Sequence, residues 1–254
     1  MAPLIQTRFN DIFQIMPCDL FCHLGRVELY VKIFCLNIIA NDFFEIRAED
    51  CLRFGSAAFF HDIGKLWIAR PILEKPVALS PDELAVMQKH PLYAKSILES
   101  LKPDDRALYD QGFFALATAA ALCHHERWDG AGYPFGIRGT DIPLIARITA
   151  ICDAFDTITH GRAYCGRRSV NTAFDEIEKC ANAQFDPLLV KLFVQNKDPI
   201  TEALWIWTDA QNKTAHSESE ASQPCIAAYS SPGAIHRTDL HTSAKKPCKS
   251  CGIR

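Results

Sequence analysis

The chain has 254 residues, 48% of them hydrophobic and 22% charged, an ordinary globular composition with material for one sizeable core. A formal net charge of −3 supplies no basic face of the kind that bulk nucleic-acid binding favours, so no nucleic-acid partner is expected. The longest apolar run, FFALATAAALC, has 11 residues against about 20 for a bilayer span, so it reads as a buried helix of a soluble protein with no membrane span.

The opening MAPLIQTRFNDIFQIM mixes Arg8, Asp11 and Gln14 among its apolar residues and lacks the form of a signal peptide. Residues 1–18 read as a short lead. From Leu20 to Ile39 apolar residues recur at helical spacing; His23 lies inside this helix, with Asp19 four residues before it on the same face. A second helix is expected over Ala48 to His61. SPDELAVMQ opens a third, with Ser80 as N-cap, Pro81 at the first helical position and Glu83 completing a capping box. Pro91 biases His90 away from helical geometry, so a new helix starts there. Further helices are expected over Phe113 to His125, Pro143 to Thr159, Val170 to Cys180 and Pro187 to Val194. The loop DGAGYPFGIRGTDIP holds four glycines and two prolines, which suits positive φ or close approach to a ligand. From 209 onward the sequence turns polar and aperiodic, and 209–254 reads as a mostly disordered tail. There is no internal repeat, and the class is all-α.

Eleven cysteines are many for such a chain. Eight have no regular spacing, which favours buried free thiols in a reducing, cytoplasmic compartment. The exception is CKSC at Cys248 to Cys251, half a zinc site or a redox pair, with no second pair of ligands nearby.

Several polar residues interrupt these helices. His61 and Asp62 end one apolar helix, and His124 and His125 end another. Asp153 interrupts ARITAICDAFDTIT, and His90 stands at a helix junction. Taken singly, a helical histidine is more often a satisfied or surface residue, and Asp19 and Asp156 read as solvated or capping. Burying several imidazoles and carboxylates together is costly unless something compensates. His with Asp is a ligand set that suits zinc, iron, manganese and similar ions, and no thiolate accompanies it to suggest a structural zinc site. Adjacent helical residues point about 100° apart, so a doublet serves different corners of a larger site. A carboxylate has two oxygens, and Asp62 can bridge two ions while His61 binds one side. Two metals about 3.5–4 Å apart suit in-line displacement at phosphorus.

HDIGK (61–65) and HHERWDGAGYP (124–134), with KHPLYAKSIL, IPLIARITAICDAFDTIT and QFDP, carry a specific resemblance. From about Asp19 to Val194 the chain resembles the HD-GYP family, the cyclic di-GMP phosphodiesterases of the HD superfamily. The resemblance implies an HD-superfamily helical bundle with a GYP loop over residues 19–200. It implies His23, His61, Asp62, His90, His124, His125 and Asp153 as ligands of two or three divalent ions, iron or manganese, with Asp62 bridging. Asp19 occupies the position of a third-metal ligand, where glutamate is the expected residue. Lys65 matches a lysine facing the scissile phosphate; without the motif it reads as an exposed lysine near a helix end. Tyr133 and the GYP loop match an element that lies beside the substrate and docks diguanylate cyclase domains. Arg162 matches a contact to phosphate or guanine. One position departs: Cys165 stands where the family has a basic residue, and a neutral thiol cannot replace a phosphate contact. Either Arg167 reaches back or the substrate is held more weakly.

The expected activity is hydrolysis of cyclic di-GMP, or a related cyclic dinucleotide, to pGpG and on to GMP through a metal-bridging hydroxide, with Asp62 and Lys65 catalytic. The alternatives are a catalytically weak cyclic-dinucleotide-binding module that recruits a partner, and an HD hydrolase acting on another nucleotide. With about 18 residues before the first ligand helix, regulation is expected from a partner, the tail, the metals or expression.

Overall fold

In chain order the helices of the computed structural model are α1 (Phe9–Ile15), α2 (Cys18–Ala40), α3 (Ala48–Ala58), α4 (Arg70–Leu73), α5 (Pro81–Met87), α6 (His90–Ser100), α7 (Pro103–Arg106), α8 (Phe113–Cys123), α9 (Leu144–His160), α10 (Val170–Lys179), α11 (Pro187–Gln195) and α12 (Lys197–Ser217). The structure describes residues 8–42, 44, 46–110, 112–161 and 168–217, with the backbone alone for 209–217. No strand occurs among the described residues, in keeping with the all-α expectation. No helix among them is long and apolar enough to cross a membrane.

Local signals place many of the helix starts. Ser80 Oγ accepts from Glu83 N at 3.3 Å and Glu83 Oε2 accepts from Ser80 N at 2.7 Å, the reciprocal box expected for α5. Asp186 Oδ1 accepts from Leu188 N at 2.9 Å and starts α11 in the same way.

α2 packs against α3 on one side and α9 on another, and α12 lies along it. Two apolar cores result. In the first, Tyr30 and Phe34 of α2 meet Phe155, Phe174 and Phe193 of α9, α10 and α11. The Tyr30 and Phe155 rings are perpendicular, with centroids 5.3 Å apart. In the second, Phe9 of α1, Phe21 of α2 and Phe113 of α8 close over Phe59 and Phe60. Burying each such side chain stabilises by about 1.5–3 kcal/mol. Phe59 and Phe60 are therefore a rigid base for the two polar residues that follow them.

Two boundaries differ from expectation. α3 stops at Ala58, so His61 and Asp62 lie in the turn between it and a 3₁₀ segment, Ile63–Trp67, rather than in the helix. Gly64 permits this turn to lie directly against α6. α12 carries the chain to Ser217, past the expected start of the tail at 209. Its stripe of Ile200, Ala203, Leu204 and Trp207 follows helical spacing; Ile200, Ala203 and Leu204 join the first core and Trp207 covers Gly25 of α2. Cys35, Cys51, Cys123 and Cys152 are buried free thiols, as expected, and Cys180 is a half-buried one. CKSC lies outside the described residues.

Candidate metal centre

Five chain segments deliver the polar cluster. His23 comes from α2, His61 and Asp62 from the turn after α3, and His90 from the start of α6. His124 and His125 follow α8, and Asp153 comes from α9. Two groups form, each with one ligand atom per residue and all atoms within 4.8 Å of one another: His23, His61, Asp62 and Asp153, and Asp62, His90, His124 and His125. Asp62 belongs to both. Its Oδ2 lies 3.4 Å from His61 Nε2 and 3.5 Å from His23 Nε2, while its Oδ1 lies 3.1 Å from His90 Nε2 and 3.6 Å from His124 Nε2.

The rings are aimed from behind. His61 Nδ1 donates to Ala58 O at 2.9 Å, His90 Nδ1 to Met87 O at 2.8 Å, and His124 Nδ1 to Ala121 O at 3.0 Å. His23 Nδ1 donates instead to Asp156 Oδ2 at 2.7 Å. With Nδ1 committed as a donor, each Nε2 is turned inward, and the inward atoms approach one another. His23 and His61 Nε2 are 3.3 Å apart, and His90 and His124 Nε2 are 3.4 Å apart.

This arrangement fits divalent cations on its own chemistry. Asp62 Oδ1 is buried and has no hydrogen-bond partner, although His90 Nε2 is 3.1 Å away. An acceptor facing inward ring nitrogens in a buried space leaves a carboxylate undersatisfied unless a cation stands between them. Imidazole nitrogen with carboxylate oxygen is the donor set for iron, manganese or zinc.

Charge is divided unevenly. Burial pushes His124 down to about 4, and burial together with His124 and His90 pushes His125 well down. His23 resists its burial because Asp153, Asp156 and Asp62 face it, and it is raised. Burial alone would raise Asp62, but Lys65, His61 and His90 hold it well below the usual carboxylate range. Burial would likewise raise Asp153, and His23 and His61 lower it.

The other expected residues fall in three places. Lys65 is ion-paired to Asp62 Oδ2, one turn beyond it. The Tyr133 ring stacks on His125, with centroids 4.7 Å apart and an interplanar angle of 22°. Gly132 brings this loop onto its own start, since a Cβ there would meet His125 O at 2.5 Å. A cavity of about 400 Å³ opens from His124, His125 and Asp153 toward Arg168 and Gln184. Arg162, Arg167 and Cys165 lie outside the described residues.

Asp19 stands apart from the cluster. It is exposed on the first turn of α2 and joins neither group. The carboxylate that accepts from His23 Nδ1 is Asp156, 1% exposed and not solvated as its sequence context suggested. Arg26 joins it, donating from Nε to Asp156 Oδ1 at 2.7 Å and from Nη2 to Oδ2 at 2.9 Å. His160 Nδ1 approaches Asp156 Oδ1 at 3.1 Å. The available signal was spacing: Arg26 follows His23 by three residues and Asp156 follows Asp153 by three, each pair on one helix face.

Residues 40–189 match the HD domain family. A protein named "Probable cyclic di-GMP phosphodiesterase" from Vibrio cholerae is 35% identical over 178 residues, 68% of this chain and 39% of its own length. A "Cyclic di-GMP phosphodiesterase" from Thermotoga maritima is 36% identical over 146 residues, 58% of this chain and 38% of its own. A "3'3'-cGAMP-specific phosphodiesterase 2" from Vibrio cholerae is 34% identical over 176 residues, 69% of this chain and 31% of its own. The chain thus spans less than two fifths of these relatives. Among solved structures, the HDG"Y"P protein Bd1817 from Bdellovibrio bacteriovorus superposes with a TM-score of 0.50 at 16% identity, covering 70% of this chain and 52% of its own; the likeness is one of fold.

Proposed function

The chain belongs to the HD domain family and carries its HD-GYP motifs, and from that premise we propose that it is a metal-dependent phosphodiesterase acting on cyclic di-GMP. The observation that carries this reading is Asp62, whose two carboxylate oxygens face different sets of histidines. His23, His61, Asp62 and Asp153 would hold one divalent ion, and Asp62, His90, His124 and His125 a second; the donor set accepts iron, manganese or zinc, and the family resemblance favours iron or manganese. When bound, such ions lower the pKa of a water and neutralise charge on a phosphoryl group.

The chain's own residues do the rest. Lys65, beside Asp62, faces the substrate phosphate and holds a proton near the leaving 3′ oxygen. Tyr133, stacked on His125, lines the substrate side of the second group. Arg162 contacts phosphate or guanine, a role that rests on the family motif alone. The cavity beside His125 and Asp153, about 400 Å³, is within the 300–1,000 Å³ usual for small-molecule sites. The first product is linear pGpG, with GMP after a second cut. The relatives named for 3'3'-cGAMP make that hybrid dinucleotide the second candidate substrate. The loop bearing Tyr133 exposes Phe135, which suits docking of a diguanylate cyclase domain. A cytoplasmic setting agrees with the buried free thiols.

The test is a chromatographic assay of iron- or manganese-loaded protein with cyclic di-GMP, 3'3'-cGAMP and nucleoside triphosphates. Conversion of cyclic di-GMP to pGpG is expected. Cyclic di-GMP left intact by metal-loaded protein would defeat the reading.

A further inference from the structure

We infer that the buried Arg26–Asp156 pair is a positioning device for His23, and that it governs one of the two metal positions and not the other. The inference rests on the metal reading above. His61, His90 and His124 each follow the last turn of a helix, α3, α5 and α8 respectively, whose carbonyls their rings can reach. Each ring is aimed by such a carbonyl three or four residues away: Ala58 for His61, Met87 for His90, and Ala120 and Ala121 for His124.

His23 has no such recourse. It lies inside α2, where the nearby carbonyls are consumed by the helix. Its Nδ1 is served by a side chain from another helix, Asp156 of α9, at 2.7 Å. That carboxylate is in turn gripped by two parallel bonds from Arg26, at 2.7 and 2.9 Å, a fork that fixes its plane.

Two pairs spaced by three residues therefore face each other: His23 and Arg26 on α2, Asp153 and Asp156 on α9. One member of each pair points at the centre, and the other two lock together behind it. Without the lock, nothing on α2 itself holds Nε2 toward Asp153 and Asp62, which it now meets at 3.3 and 3.5 Å. Carboxylates behind metal-binding histidines set affinity by about 10- to 100-fold.

The experiment is Mn²⁺ binding to the full chain, read as stoichiometry and as the exchange-coupled electron paramagnetic resonance signal of a metal pair. Asp156→Ala removes the acceptor. Because it strands Arg26, the double variant Arg26→Met/Asp156→Ala is measured beside it, with circular dichroism as a check on folding. In the folded variant, one Mn²⁺ per chain is expected to bind about 10- to 100-fold more weakly and the coupled signal to give way to that of single ions, while the other Mn²⁺ keeps its affinity. Asp156→Asn, which keeps an acceptor but not the charge, is expected to fall between. Unchanged binding of both ions would overturn the inference, and so would equal weakening of both, which marks a structural role only. If the wild-type chain binds no Mn²⁺, the metal reading falls first and takes this inference with it.

Discussion

A Cβ on Gly64 would stand 1.9 Å from the carbonyl oxygen of His90. The turn bearing His61 and Asp62 is thus laid against the first turn of α6 with no room for a methyl group, and the neighbour is backbone that cannot swing aside. Gly64→Ala is expected to cost about 1–3 kcal/mol as an overpacking change and to separate Asp62 from His90. A urea midpoint and a manganese count per chain check both parts. Wild-type values for both would mean that the contact is not needed.

Asp62 serves both groups, so its loss should be felt by both. Asp62→Ala is expected to lower bound metal below one ion per chain and turnover by more than about 100-fold. His125→Ala, which touches one group only, should retain an ion at the other. Full metal content in Asp62→Ala by elemental analysis is the result that contradicts a bridging role.

Metal removal should also cost stability, because the centre joins α2, α6, α8, α9 and the turn after α3. An ion that binds only the folded chain stabilises it by about 2.7 kcal/mol at a hundredfold excess over its Kd. Chelation is expected to lower Tm, and added Mn²⁺ to raise it with concentration. A Tm indifferent to Mn²⁺ would count against the site.

Away from the centre, Lys75 and the Ser80 amide lower the Glu83 carboxyl from its usual value. A carboxyl depressed in the folded state stabilises above the pH where the unfolded chain titrates, about 4.3, and that contribution fades as pH falls through its folded value. Glu83→Gln should therefore lower Tm at pH 7, and the gap from wild type should close below about pH 4. A gap that is constant with pH would show that the charge contributes nothing.

Much of the centre was legible because its motifs are short and local. HDIGK, HHERWDGAGYP and KHP each place ligands within a few residues of the helix end that aims them, and the Ser80 box is contained in four residues. What was hidden depends on distant chain. Nothing near Asp156 announces that Arg26, 130 residues earlier, will neutralise it, so a solvated aspartate was the natural reading. The last helix was underread because its outer face also carries apolar residues, Trp205 and Ile206, which blur the helical pattern, and its buried stripe depends on α2 for a partner.

The span of each aiming bond sets an order of assembly. His61, His90 and His124 are oriented by atoms three or four residues away, whereas the bond that orients His23 closes a separation of 133 residues. Contacts of long sequence separation form late, since chain entropy must be surrendered before they repay it. A growing chain can set three of its rings before α9 has been made, and the fourth only afterwards. Metal capture during refolding should accordingly be biphasic, with the His23 side filling last, so that a complete centre certifies that the two ends of the domain have met.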